Sequence, residues 1–535
     1  MSLKGSGHSG DGATGSRGAM KQGDGSKRLV GNSIWNVAAF IVGAALNLMI
    51  LPFAVHRLGV PAFGVASLVV ACVAPAVMFS SALSLSTSRE LAHGLSLEQI
   101  GDSRRLFATA MFMALVVGLL LSFVLAFAGP QLARLAFNLP GKTGEDLGTT
   151  FAFGASGWLC QCLMSVPLAL LIARQDYARI SAAAILGTVV TTGSMLVLLP
   201  DRPLPSTFMA CQAAGLMANF AAVLVLALLS ASHWMTWPAL HREPIRRILH
   251  VGSWQVAAQG GALIASQADR YLLGIMLAPQ FVGFYSVAQR LEEAVYIGIL
   301  KVGEILFPFF SGIQKETSER KAELVFRSSW ILNLLAASAL GAIVPAAGPL
   351  LTLWAGPELA SGARHVLIVL SIGGMLGCSV NVFAFFLLAQ GRSKSTALIS
   401  LVTAFFTLAT SALALPYFGW SAAGWSSCIG VVAQNVATAL LLKSTFRRVS
   451  IWSRFAHLVA SPLLVGIGAA LLLGQLIRLD GFDVQASWPL VGGLYCVSAI
   501  AIFTAVAAAS QFGPYRASCR EDLRVIALRA FVWLR

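Results

Sequence analysis

Residues 265–304 read ASQADRYLLGIMLAPQFVGFYSVAQRLEEAVYIGILKVGE. They are the facing halves of two apolar runs of membrane length, 251–277 and 282–310, which turn near Gln280. Seven ionisable side chains lie inside them: Asp269, Arg270, Arg290, Glu292, Glu293, Lys301 and Glu304. A charge at mid-bilayer costs about 2.5–3.5 kcal/mol or more, so it is paired, faces a wet cavity, or both. The other apolar runs of the chain carry essentially none. This hairpin therefore decides the reading: a helical membrane protein that moves something polar past one charged pair of helices.

The rest of the chain agrees with a membrane class. It has 535 residues, 57% hydrophobic and 11% charged, and soluble domains average about 25% charged. Windows of about 20 apolar residues mark fourteen spans. They lie at 33–55, 65–86, 106–128, 151–173, 180–199, 207–231, 251–277, 282–310, 330–353, 366–389, 397–415, 423–442, 456–477 and 489–510. Of the 37 Lys and Arg, 28 fall in loops and tails on one side of these spans, six on the other, and three within them. The positive-inside rule then makes both termini cytoplasmic. The net charge of +15 is thus a topology signal and not a nucleic-acid patch.

Residues 1–28 are rich in Gly, Ser and Lys and lack an apolar core, as in a disordered tail. They do not read as a signal peptide. Residues 511–535 mix Arg with apolar residues, as in an amphipathic helix at the cytoplasmic interface. The eight cysteines lie mostly inside apolar runs, with neither zinc-like nor disulfide-framework spacing.

An internal repeat organises the spans. Trp35-Asn36-Val37-Ala38-Ala39 in span 1 matches Trp254-Gln255-Val256-Ala257-Ala258 in span 7, an offset of 219. Pro61 and Phe63 match Pro279 and Phe281 at 218, and Gly64 and Ser67 match Gly283 and Ser286 at 219 again. Both copies run from the cytoplasmic side outwards, so the repeat is parallel, with its axis along the membrane normal. The expected architecture is all-α: a first lobe at 29–231, a linker at 232–249, a second lobe at 250–443, and spans 13–14 within 444–510.

In the hairpin, Arg270 and Arg290 lie ten residues either side of Gln280, which places them at similar depth if the helices pack antiparallel. On a helical wheel, Ser286, Arg290, Glu293, Lys301 and Glu304 share one stripe of span 8. Glu292 points the other way, towards span 7 or another helix of its own lobe. The stripe supports two readings. One is the cationic wall of a cavity, since guanidinium groups hold phosphate bidentately and Lys acts as a point charge. The other is internal pairing of Asp269–Arg270, Arg290–Glu293 and Lys301–Glu304. The cavity is the favoured expectation, because an apolar seam would be as stable as three ion pairs. Arg270, Arg290 and Lys301 are then anion-binding candidates, and Asp269, Glu293 and Glu304 ion-coupling candidates. The matching face of the first lobe is polar but uncharged, with Asn36 and Asn47 in span 1 and Ser80, Ser81, Ser84, Ser86, Thr87 and Ser88 at the end of span 2.

Several chemistries have no motif here. There is no Walker A loop, no His-Glu-x-x-His or other metal-ligand spacing, and no Gly-x-Ser-x-Gly. The longest outer loops, 129–150 and 478–489, are too short for a catalytic domain. No enzyme activity, cofactor or metal is expected.

A set of motifs resembles a known family. They are Asn36, Asn47 and Pro52; Arg57-Leu58-Gly59 and Phe63-Gly64; Asp269-Arg270-Tyr271-Leu272-Leu273-Gly274; and Val282-Gly283-Phe284-Tyr285-Ser286-Val287-Ala288. Across spans 1–12 these resemble the bacterial polysaccharide repeat-unit (Wzx-type, O-antigen and exopolysaccharide) flippases of the multidrug/oligosaccharidyl-lipid/polysaccharide (MOP) exporter superfamily. The resemblance implies two six-helix lobes in a V around an alternating-access cavity, in the bacterial inner membrane. It implies undecaprenyl-diphosphate-linked oligosaccharide as substrate, membrane lipid as surroundings, and a polysaccharide polymerase and glycosyltransferases as partners. Asp269 and Arg270 occupy the family's charged pair. Spans 13–14 depart from the common twelve-helix form and are similar to the extra pair of the lipid II flippases. The arginines those flippases carry in helices 1 and 2 are missing, which favours exopolysaccharide or O-antigen over lipid II. A drug or cation antiporter of the superfamily is the other alternative, and it would need acidic residues in the first lobe's helices.

Overall fold

The computed structural model describes residues 39–96, 100–137, 146–303, 306–313, 316–446, 449–479 and 487–533. Asn36, Glu304 and the tail at 1–28 lie outside them. The described residues are helical, with neither strands nor bridges. Twelve helices are long and apolar enough to cross a membrane. The first six are α1 (Ala39–Leu58), α2 (Val60–Ser96), α3 (Ile100–Phe127), α4 (Leu147–Ala173), α5 (Tyr177–Leu198) and α6 (Pro205–Ala231). The charged hairpin forms α7 (Arg242–Met276) and α8 (Pro279–Gly303). At 35 and 25 residues both are long enough to span, and their polar content keeps them out of the twelve. Then follow α9 (Ser318–Gly341), α10 (Pro357–Ala389), α11 (Ser393–Phe418), α12 (Ser421–Thr445), α13 (Ser461–Leu479), α14 (Trp488–Ala509) and the shorter α15 (Arg516–Trp533).

Most boundaries differ by a few residues from the sequence reading, and α2 and α10 extend nine or ten residues beyond it at one end; two differences change the organisation. Span 9 was expected at 330–353, but α9 starts at Ser318 and stops at Gly341, and a second helix runs from Ile343 to Ala355. Pro345 explains the break: it has no N–H for the carbonyl of Gly341, and its ring crowds that carbonyl. The segment 232–249 was expected as a linker, yet α7 already begins at Arg242.

Helices α2 to α6 pack on one another, and α7 to α12 form a second group; α2 bridges the two by packing on both α7 and α8. At the start of α2 and α8 the backbones touch. A Cβ on Gly64 would overlap the carbonyl oxygen of Pro279 and come within 2.6 Å of its carbon. A Cβ on Gly283 would come within 2.8 Å of the carbonyl oxygen of Val60. The first residues of the two helices, Val60 and Pro279, and their fifth, Gly64 and Gly283, are each 219 apart, so each contact is the image of the other. That reciprocity is what a two-fold axis between repeats produces. The aligned glycines are therefore the residues that let the two halves meet backbone to backbone. One residue, Gly59, links α1 to α2, and its φ of 77° is one that side chains beyond glycine rarely adopt.

Helices α13 and α14 pack on each other and on α9 through small residues. Gly466 lies over Ala337, Gly341 over Ala470 and Ile502, and the Tyr495 hydroxyl donates to the carbonyl of Ala339 at 2.9 Å. Close approach of small residues is how membrane helices associate without a hydrophobic drive. Nearly three turns into α9, Arg327 forks onto α15. Its Nε donates to Asp522 Oδ2 at 3.1 Å and its Nη2 to Asp522 Oδ1 at 2.5 Å.

Candidate anion site between the helix groups

Asp269, Arg270 and Tyr271 are consecutive on α7. Steps of about 100° send their side chains to three different neighbours. Each neighbour is a distinct environment.

Asp269 turns into the second helix group and is 1% exposed. It accepts from the hydroxyls of Tyr285 on α8 (2.7 Å), Ser411 on α11 (2.5 Å) and Ser427 on α12 (2.6 Å). Three hydroxyl donors stabilise a buried carboxylate without a cation in contact. The Asp269–Arg270 ion pair weighed from the sequence does not form. Nothing in the sequence marked Ser411 and Ser427, which lie more than a hundred positions away; Tyr285 was visible only within the resembling motif.

Arg270 turns towards the first helix group and is 4% exposed. It lines a pocket of about 70 Å³ with Asn47 of α1, Ser67 of α2, Gln212 of α6, and Ser286 and Arg290 of α8. Its Nη1 donates to Gln267 Oε1 at 3.0 Å, while its Nε is buried without a partner. Ser286 Oγ, in the same pocket, is also buried without a partner. Arg290 is half-exposed, and its Nη1 lies 3.4 Å from Glu293 Oε2. With Thr191 of α5, which also lines the pocket, two guanidinium groups, two amides and three hydroxyls thus converge from six helices. Buried donors left unsatisfied are costly, and an anion would satisfy both at once.

The structure therefore brings together Arg270, Arg290 and Asn47 of the expected binding residues. Lys301 lies half-buried about three turns further along α8 and is not among the residues lining this pocket. Glu293, expected on the same wall, is not among the residues lining this pocket and lines a separate chamber inside the second group. Glu292 faces α10, as a helix of its own lobe: a Cβ on Gly374 would overlap Glu292 Oε1.

Tyr271 takes the third direction. Its hydroxyl donates to the carbonyl of Ala71 on α2 at 2.6 Å. Ala71 is four residues before Pro75, which lies inside α2 and has no N–H to give that carbonyl. Tyr271 thus supplies, from the other helix group, the donor that the proline removes. Tyr271→Phe is expected to lower stability by about 1 kcal/mol. In a Pro75→Ala background, where the new N–H serves Ala71, the same change should cost less than half as much. Thermal unfolding of the four proteins in detergent measures this, and equal losses in both backgrounds would refute the coupling.

A profile of the family described as "Polysaccharide biosynthesis protein" matches residues 58–336, just over half of the chain. That stretch runs from α2 through the charged hairpin into α9. A Shigella flexneri protein named "Putative O-antigen transporter" is 21% identical over 381 residues, 69% of this chain and 87% of the relative. Among solved structures, "Lipid II flippase MurJ, inward closed conformation" superposes with a TM-score of 0.66 at 11% identity, covering 90% of this chain and 99% of that one. An inward-facing multidrug resistance MATE family transporter of the MOP superfamily gives 0.66 at 13% identity, covering 77% of this chain and 99% of its own. The chain is a multi-pass integral membrane protein that belongs to the polysaccharide biosynthesis protein family and has the fold of the MOP-superfamily transporters.

Proposed function

We propose that the protein flips undecaprenyl-diphosphate-linked oligosaccharide repeat units from the cytoplasmic to the outer leaflet of the bacterial inner membrane, for O-antigen or exopolysaccharide synthesis. The observation that carries this reading is the pocket where Arg270 Nε and Ser286 Oγ lie buried and unpartnered beside Arg290. Donors of that kind suit a diphosphate, and the amides and hydroxyls around them suit sugars. Arg270 and Arg290 hold the anionic head, with Asn47 on the facing wall; Asn36 lies outside the described residues. A pocket of about 70 Å³ takes a small anion and not a sugar chain, so the helix groups part to admit substrate and close behind it. In this reading the cycle is coupled to an ion, which the carboxylates of the second group bind. The cycle makes and breaks no covalent bond; a polymerase and glycosyltransferases act before and after it.

Deletion of the gene tests the reading. Surface polysaccharide is expected to be lost while lipid-linked repeat units accumulate facing the cytoplasm, as read by their resistance to periplasmic glycosidase or ligase. Accumulation of repeats facing outwards, or of none, would refute it.

A further inference from the structure

Prolines free two carbonyls on α1 and α2, and both are served from the other side of the molecule. Pro75 frees Ala71 on α2, which accepts from Tyr271 of α7. The second case lies on α1. Pro52 stands inside that helix and has no N–H for the carbonyl of Leu48, four residues earlier. The Leu48 carbonyl instead accepts from the indole Nε1 of Trp354 at 2.8 Å. Trp354 is the next-to-last residue of the short helix Ile343–Ala355, which packs on α10 of the second group and on α13 and α14. On its other side α1 lies beside α5, where a Cβ on Gly43 would sit 4.0 Å from Thr188 Oγ1.

Both ties flank the anion pocket. Leu48 is next in sequence to Asn47, and Ala71 to Val70, and Asn47 and Val70 line that pocket. Tyr271 is likewise next to Arg270. Leu48 lies ten residues before the end of α1 and Ala71 eleven after the start of α2, so each carbonyl sits about 15 Å from the turn at Gly59. Two hydrogen bonds at one level thus join α1 and α2 to the second group on either side of the pocket. Their donors belong to the part that must move away. A backbone carbonyl left bare in apolar surroundings is costly, so a carbonyl freed by proline keeps a partner. If the groups part, both carbonyls lose their donors together, and water or a substrate hydroxyl entering the cleft has to replace them.

We propose that Trp354 and Tyr271 are the two points of a latch that keeps the helix groups closed on the anion pocket until water or substrate enters. Each ring holds the pocket shut through one hydrogen bond to a carbonyl that its own helix cannot serve. Neither ring lines the pocket, so both are positioning residues: they set how readily it opens and not what it binds. The latch rests on the parting of the groups in the reading above and names the bonds that oppose it.

The test reads opening directly. Ser286 lines the pocket and is buried, so Ser286→Cys in the full-length protein reports exposure of the pocket. The readout is its rate of maleimide labelling in detergent, resolved by mass spectrometry of the peptide 271–290, which holds no native cysteine. Trp354→Phe keeps a ring and removes the donor. It is expected to speed labelling about fivefold, the worth of one hydrogen bond, and Tyr271→Phe likewise. The double variant is expected to reach the product of the two. Trp425→Phe, an exposed tryptophan of α12 whose ring neighbours His365, is expected to change nothing. In a Pro52→Ala background the new N–H serves Leu48, so Trp354→Phe is expected to lose most of its effect. Unchanged labelling in Trp354→Phe overturns the latch, because a merely structural tie would lower the melting temperature without exposing the pocket. So does an effect of the same size in the Pro52→Ala background. If Trp354→Phe does not fold, Pro52→Ala alone weakens the same tie from the other end and is expected to speed labelling; no change there also overturns it. No substrate is present, so these results stand apart from polysaccharide export and from the fate of the flippase reading.

Discussion

Arg270→Ala is expected to abolish most polysaccharide export. Arg270 is the most deeply placed cation of the anion pocket, and a hydrogen bond to a charged group contributes about 1.5–3 kcal/mol, or tenfold to over a hundredfold. Arg270→Lys should recover only part of this. A lysine restores the charge but has no planar fork and nothing at the position of the unpartnered Nε. Arg290→Ala should be milder, a few-fold, because that side chain is half-exposed and already neighbours Glu293. Complementation of the deletion strain at matched protein levels gives the order Arg270→Ala below Arg290→Ala below wild type. Full export by Arg270→Ala would remove this pocket from the pathway.

A second large effect is expected at Gly64. The Cβ of an alanine there overlaps the carbonyl oxygen of Pro279, and backbone cannot rotate aside as a long side chain can. Overpacking of this kind costs typically 1–3 kcal/mol, and the larger Gly64→Val should exceed that range. Both should hold the start of α2 away from the start of α8, so that the closed arrangement is lost and export with it. Gly283→Ala, whose Cβ comes to 2.8 Å from the Val60 carbonyl, should follow with a smaller loss. Gly43→Ala, with nothing nearer than 4.0 Å, should be neutral. Melting temperature and export, measured together, test the ranking. A tolerated Gly64→Val would mean that the two glycines need not meet during the cycle.

These two positions show what kind of information a sequence holds. The repeat was legible because Trp, Pro, Phe, Gly and Ser recur at offsets of 218–219 in two helical hairpins. Their reciprocal contact was not, since a repeat states that two segments are alike without stating that they touch. The charged hairpin was equally legible, because charge inside a membrane-length apolar run is rare. A helical wheel correctly set Ser286 and Arg290 on one face and Glu292 on the other. It set Glu293 on the stripe with Arg290, whereas Glu293 lines the chamber inside its own group.

Membrane class, helical content and the polar identity of α7 and α8 follow from composition and periodicity, which are properties of local sequence. The division of labour along Asp269-Arg270-Tyr271 does not. Which neighbour each residue meets depends on Ser411 and Ser427 from far along the chain, on Ser286 and Arg290 across the hairpin, and on a carbonyl that Pro75 frees in another helix. Helix packing alone brings those groups within hydrogen-bond reach. Only there does one run of three residues become a caged carboxylate, an anion site and a tie between the two helix groups.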